Sequence, residues 1–138
     1  MKANQILKAG FLCICSVLLA ACSKDTDDKL EGKWQMQQME ADGNIQKVDT
    51  IFYNFQTSLF QYQIYNTHTN THTNTYPYRY GFKTLKGDNE LVLELETDNN
   101  FLHLTDWTTK ERVFTIEKVT GKNLILSSEG KRYMFRKF

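Results

Sequence analysis

From Leu30 onward the chain alternates between apolar and polar positions and breaks at short intervals. Trp34 and Met36 fall on one side and Lys33, Gln35 and Gln37 on the other, the period-2 signature of a half-buried strand. Val48 to Gln56 gathers Ile51, Tyr53 and Phe55 on one face with Phe52 opposite, and Leu59 to Tyr65 is rich in aromatic and β-branched residues. Tyr76 to Leu85 lines up Tyr76, Tyr78, Tyr80 and Phe82, with Pro77 near the start, where a missing ladder donor does least harm. Glu90 to Glu96 sets Leu91, Leu93 and Leu95 against three glutamates. Val113 to Val119 shows Phe114 and Ile116 on one side, and Leu124–Ser128 and Lys131–Phe138 complete the series. Asp98 to Lys110, which contains Trp107, is less regular.

Glycine-centred turns separate these runs: Ala41-Asp42-Gly43-Asn44, Lys86-Gly87-Asp88-Asn89, Thr120-Gly121-Lys122-Asn123 and Glu129-Gly130. Short alternating strands joined by tight turns describe an antiparallel meander. Each strand must bury one face, and small all-β chains do so by stacking two sheets or closing a barrel. A barrel also removes the exposed edge that invites aggregation. The expectation is therefore a small up-and-down antiparallel β-barrel of seven or eight strands over residues 30–138.

The beginning of the chain has a different character. Lys2 and Lys8 precede an apolar run from Ala9 to Ala21, and Cys22 follows. A charged head, an apolar middle and a small-residue end make a secretory signal peptide over residues 1–21. The run falls short of the roughly 20 apolar residues of a membrane-spanning helix. Leu19-Ala20-Ala21-Cys22 resembles the lipobox of bacterial lipoproteins. That resemblance implies cleavage before Cys22, lipidation of its sulfur and acylation of its new amino group with chains of the palmitate type. Several acyl chains hold far more firmly than one, at about 0.8 kcal/mol per buried CH₂. The other two cysteines, Cys13 and Cys15, lie in the discarded run, so the mature domain contains no disulfide.

Residues 22–29, with Asp25, Asp27 and Asp28, then read as a polar tether. The stretch is similar to the acidic export tags of some Gram-negative lipoproteins, which implies an outer-membrane protein facing the cell surface in preference to the periplasm. The whole chain has 138 residues, 41% apolar and 24% charged, with a net charge of +1. It offers no concentrated basic face for nucleic acid.

Gly32-Lys33-Trp34 opens the first strand, and Arg136 lies near the end of the last. This pairing resembles the lipocalin and lipocalin-like family, in particular short lipocalin-like domains of bacterial lipoproteins. The resemblance implies a barrel for small apolar ligands, with Trp34 closing one end, Gly32 permitting the tight bend and the Arg136 guanidinium lying over the indole. The chain departs from a typical lipocalin in being shorter and in lacking a disulfide and a C-terminal helix, which bears on whether the barrel leaves room for a ligand.

Other constellations carry little chemistry. His68 and His72 sit in a threonine-alternating segment, 66–75, that suits a hairpin tip. In one extended strand they lie about 13 Å apart, too far to share an ion, and no metal site or cofactor is expected. His103 stands near Asp106, and Ser58, Ser127 or Ser128 complete a triad on paper only, without a nucleophile elbow. The chain is expected to be no enzyme. Tyr76, Tyr78, Tyr80 and Phe82 admit three placements: lining a ligand cavity, filling a narrow barrel, or facing outward as an interaction patch. Two functions follow: a lipid-anchored binding protein for a small apolar or amphipathic ligand, or a surface lipoprotein with a filled barrel that contacts proteins or glycans. A packed interior beneath an exposed aromatic patch favours the second.

Overall fold

In the computed structural model, residues 24–65 and 76–138 are described. Residues 24–30 form a short helix, α1. Nine strands follow: β1 (Gly32–Ala41), β2 (Asn44–Lys47), β3 (Ile51–Phe55), β4 (Leu59–Ile64), β5 (Tyr78–Lys86), β6 (Glu90–Leu95), β7 (Glu111–Val119), β8 (Asn123–Ser128) and β9 (Lys131–Lys137). A one-turn helix, α2 (Asn99–Leu102), lies between β6 and β7. Every neighbouring pair is antiparallel. The ring runs β1-β3-β4-β5-β6-β7-β8-β9 and closes where β1 pairs with β9, from Trp34 opposite Lys137 to Ala41 opposite Lys131. Eight strands thus make an up-and-down barrel, as the alternation predicts.

β2 is the extra strand. The first half of β1 pairs with β3 and the second half with β2, so β2 and β3 follow one another along the same edge. All four residues of β2 are exposed. The two-residue turns Asp42-Gly43 and Glu129-Gly130 have positive φ throughout, the mirror-image turn that matches strand twist and fixes hairpin register.

The interior is full. Trp34, Tyr53, Tyr62, Phe55, Phe60, Phe114 and Tyr133 are completely or almost completely buried, together with Met36 and the three leucines of β6. Their rings lock at edges and faces: Tyr53 meets Phe60 at 5.1 Å and Phe135 at 4.9 Å, and Phe60 stacks on Trp107 at 6.0 Å. Burial of this many aromatic side chains, each hiding about 150–250 Å², holds the ring together without a disulfide.

Both ends are stopped. At the base, where β1 begins and β9 ends, α1 buries Leu30 completely, and the Trp34 indole N–H donates to the Leu30 carbonyl at 2.7 Å. Asp27 of α1 accepts a hydrogen bond from the buried Lys83. Residues 24–29, which fall in the expected tether, are helical and run with Leu30 onto the barrel, where Leu30 and Asp27 both find partners. At the opposite mouth, the segment 96–110 folds over the opening. Asp98 caps α2 by accepting from the Phe101 N–H at 3.1 Å, and Phe101, Leu102 and Trp107 drop into the barrel.

Candidate functional site

Begin at the base. Trp34 faces inward from β1, and a cation does lie over its ring, but it is Lys137, 4.5 Å from the ring centroid. Arg136 is exposed and pairs across to Gln35. The reason is the two-residue period of β9: Tyr133 and Phe135 point inward, so 137 follows them and 136 points out. Lys137 also donates to the Glu31 carbonyl. Gly32 has φ +120, a backbone bend that residues with a Cβ rarely adopt, and the Lys137 ammonium occupies the space a Cβ would take. Gly32 and Trp34 thus lie together at the base, and the cation over the indole is Lys137 in place of the expected Arg136.

The mouth holds a polar cluster that the alternation gave no hint of. Arg112 of β7 is buried, its side chain 3% exposed. It donates to the Tyr133 hydroxyl at 2.6 Å, to Asp106 at 3.2 Å and to the Ser128 hydroxyl at 3.1 Å. Tyr133 donates in turn to Asp106, and Lys131 approaches the same carboxylate oxygen at 3.4 Å. Burial alone would raise the Asp106 pKa, but the Tyr133 hydroxyl and the two cations outweigh it and hold the carboxyl below its ordinary value. Burial pushes the Tyr53, Tyr62 and Tyr133 hydroxyls upward, so all three stay protonated. The cluster ties the mouth segment to β7, β8 and β9. Its chemistry is that of a latch: one carboxylate oxygen of Asp106, Oδ2, takes Arg112, Tyr133 and Lys131, Ser128 donates to the Val113 carbonyl at 2.7 Å, and His103 is exposed. His103, Asp106 and the serines form no triad. Among the described residues no three His, Cys, Asp or Glu side chains converge on a cation site. Cys22, His68 and His72 lie outside the described residues.

β5 is inside out. Its aromatic set faces solvent: Tyr78, Tyr80 and Phe82 are 47%, 57% and 49% exposed, and Tyr76 is half-buried just before the strand. Of the three placements open for these rings, the outward one holds, so they line no barrel cavity. The inward set is Arg79, Gly81, Lys83 and Leu85. Geometry dictates this. Phe60 and Tyr62, opposite Gly81 and Arg79 on β4, already fill the space, and a Cβ on Gly81 would fall 1.9 Å from the Glu94 carbonyl oxygen. The two inward cations are accommodated one by one: Lys83 on Asp27, Arg79 over the Phe101 ring at 4.8 Å.

Outside, the rings continue as a belt. Tyr76 stacks on Tyr65 at 4.3 Å, Tyr65 meets Phe52 at 6.5 Å, and Phe52 meets Phe138 at 5.3 Å. Lys33 lies over the last two rings, at 4.7 and 5.0 Å. Three depressions open along this wall. One of about 570 Å³ runs past Tyr76, Tyr78, Tyr80 and Glu96. A smaller one of about 110 Å³ lies between Tyr80, Gln61 and Asn54. The third, about 380 Å³, is walled by Lys33, Gln35, Asp49, Phe52, Tyr65 and Phe138.

A closed eight-stranded meander, stoppered at its base by a first-strand tryptophan under a cation, defines a lipocalin-like barrel. The family model for the lipocalin-like domain matches residues 17–138, and the chain belongs to that family. It is similar to a lipocalin-like protein from Bacteroides uniformis ATCC 8492, with 31% identity and a TM-score of 0.69 over 80% of this chain and 99% of that one. It is also similar to an uncharacterized protein from Bacteroides eggerthii DSM 20697, with 34% identity and a TM-score of 0.64 over 79% and 99%. No curated protein matches. Membership makes the chain a barrel of the kind built for binding.

Proposed function

We propose that this chain is a lipid-anchored, non-enzymatic binding module that recognises its partner on the outer wall of the barrel rather than holding a small apolar ligand within. One observation carries the reading: β5 turns three aromatic rings to solvent and two cations to the interior. Slipping the strand by one residue would reverse both sets, and burying each ring would be worth about 1.5–3 kcal/mol by the ordinary rule for side chains of this size. A strand that breaks the local rule in this way marks a functional surface. The filled interior supports the same conclusion, since rings occupy the space a lipocalin ligand would need. Cys22 supplies the anchor, on the strength of the Leu19-Ala20-Ala21-Cys22 motif, and the acidic residues after it favour the outer face of the outer membrane.

Native mass spectrometry of the protein purified from its own host tests the choice of surface. The expected spectrum shows the acylated polypeptide with no second small molecule; a stoichiometric apolar compound released on denaturation would overturn the reading. Growth with labelled palmitate should label the wild type and leave Cys22→Ser unlabelled.

A further inference from the structure

The outer wall from β3 to β6 has a regular composition. Reading along the ladder, Phe52 and Asn54 of β3 lie opposite Gln63 and Gln61 of β4, and these lie opposite Tyr78 and Tyr80 of β5. Phe82 stands between Leu59 and Glu94, and the Glu96 N–H donates to the Tyr80 carbonyl, setting that glutamate beside the tyrosine. A row of rings on β5 therefore lies beside a row of carboxamides on β4, with Asn54 and Phe52 of β3 beyond it, neighbours being about 4.8 Å apart across strands and about 6.8 Å apart along them. Carboxylates close one side, and the three depressions follow the same wall.

Three kinds of occupant meet this surface differently. An extended peptide adding itself as a strand needs a free sheet edge, and β3, β4, β5 and β6 are paired on both sides. An acyl surface would strip water from Gln61, Gln63 and Asn54 without offering hydrogen bonds in return, at a cost of about 1–3 kcal/mol for each amide. A sugar chain satisfies both components. Its C–H faces lie on aromatic rings, and its hydroxyls, each a donor and an acceptor, pair with carboxamides and carboxylates. The larger depressions, about 570 and 380 Å³, fall in the range of small-molecule sites. The Tyr65–Tyr76 stack stands between them, with residues in common with each.

We infer that the wall centred on Tyr80 and Gln61 binds a neutral carbohydrate chain, Tyr78 and Tyr80 packing against sugar faces while Gln61, Gln63 and Glu96 take hydroxyls. The inference rests on the outer-wall reading and names its ligand class. It predicts recognition that is insensitive to salt, because no fixed ligand charge is engaged.

Affinity electrophoresis of the full chain tests it, in gels containing a soluble glucan, mannan or galactan, beside vesicles of phosphatidylcholine and free palmitate as separate arms. The expected result is retardation by at least one polysaccharide, unchanged between low and high salt, and weakened at least fivefold by Tyr80→Ala and by Gln61→Ala. Both positions are on the wall, so the variants should keep the wild-type melting temperature; Arg136→Ala, on a different strand, is the control that stays retarded. Absence of retardation in every gel, or retardation indifferent to both substitutions, overturns the carbohydrate inference. Vesicle binding that depends on Tyr80 would overturn it while leaving the outer-wall reading intact. Stoichiometric palmitate binding indifferent to Tyr80 would overturn both.

Discussion

Lys137 and Arg136 differ by one position and by everything their side chains touch. The Lys137 ammonium lies over a completely buried indole and donates to the Glu31 carbonyl, so Lys137→Met, which keeps the aliphatic stem, removes a cation–π contact and a hydrogen bond. The expected loss is about 1–2 kcal/mol, measured by urea denaturation. Arg136→Ala should stay within about 0.5 kcal/mol of the wild type, as exposed positions do. An equal loss for both would mean that the base is not closed by Lys137. Counting left the distinction open: Tyr133 and Phe135 are in step with 137, but Met134 and Phe138 are in step with 136, and only the closed barrel shows that the first pair faces inward. The resemblance implied Arg136 as this cation, and the structure puts Lys137 there.

Among the elements, β1, β3, β6 and β8 were legible because a large apolar residue recurs at every second position, although Phe52, Val92 and Ile125 stand on the outward sets; in β7 Phe114 and Ile116 were legible and the inward Arg112 was not. β5 was not legible, since the choice of face was made elsewhere: by the bulk of Phe60 and Tyr62 across the ladder, by the close approach of Glu94 to Gly81, and by Asp27 waiting for Lys83. The segment over the mouth was equally hidden. Its anchor joins Asp106 to Arg112 and Tyr133, side chains that only barrel closure brings together. Asp106→Asn leaves the buried Arg112 guanidinium with only the exposed Glu129 carboxylate, 3.5 Å away, as counter-charge, so a loss of about 3 kcal/mol at neutral pH is expected. The dependence on pH has a definite sign. Asp106 titrates below the ordinary carboxylate value of 3.8 in the folded protein. Its contribution is therefore complete above that value and disappears as pH falls through the lower, folded one. Denaturation midpoints taken from pH 6 downward should fall more steeply in that window for the wild type than for Asp106→Asn. Parallel curves would show that the latch carries no charge coupling.

At the scale of the whole molecule, the ring, its two stoppers and its wall form one closed object. β9 pairs with β1 along seven positions and with β8 along six, and it brings Tyr133 to the latch and Lys137 to the base. Removing residues 131–138 opens the ring, uncovers β1 and β8 as free edges and deletes a member of each closure. The expected product is an unfolded or aggregating chain with no cooperative thermal transition, to be read by circular dichroism and size-exclusion chromatography. A soluble, cooperatively melting remnant of eight strands would contradict this.

The seam between the first and last strands has a consequence for how the molecule comes into being. A chain released N-terminus first from the ribosome carries Trp34 long before its partner Lys137 exists. Until the final seven-residue strand emerges, the barrel has no way to shut, and the contacts that reward closure span nearly the full length of the domain. Synthesis must therefore finish before folding does, which keeps the polypeptide open and threadable for as long as it is being made.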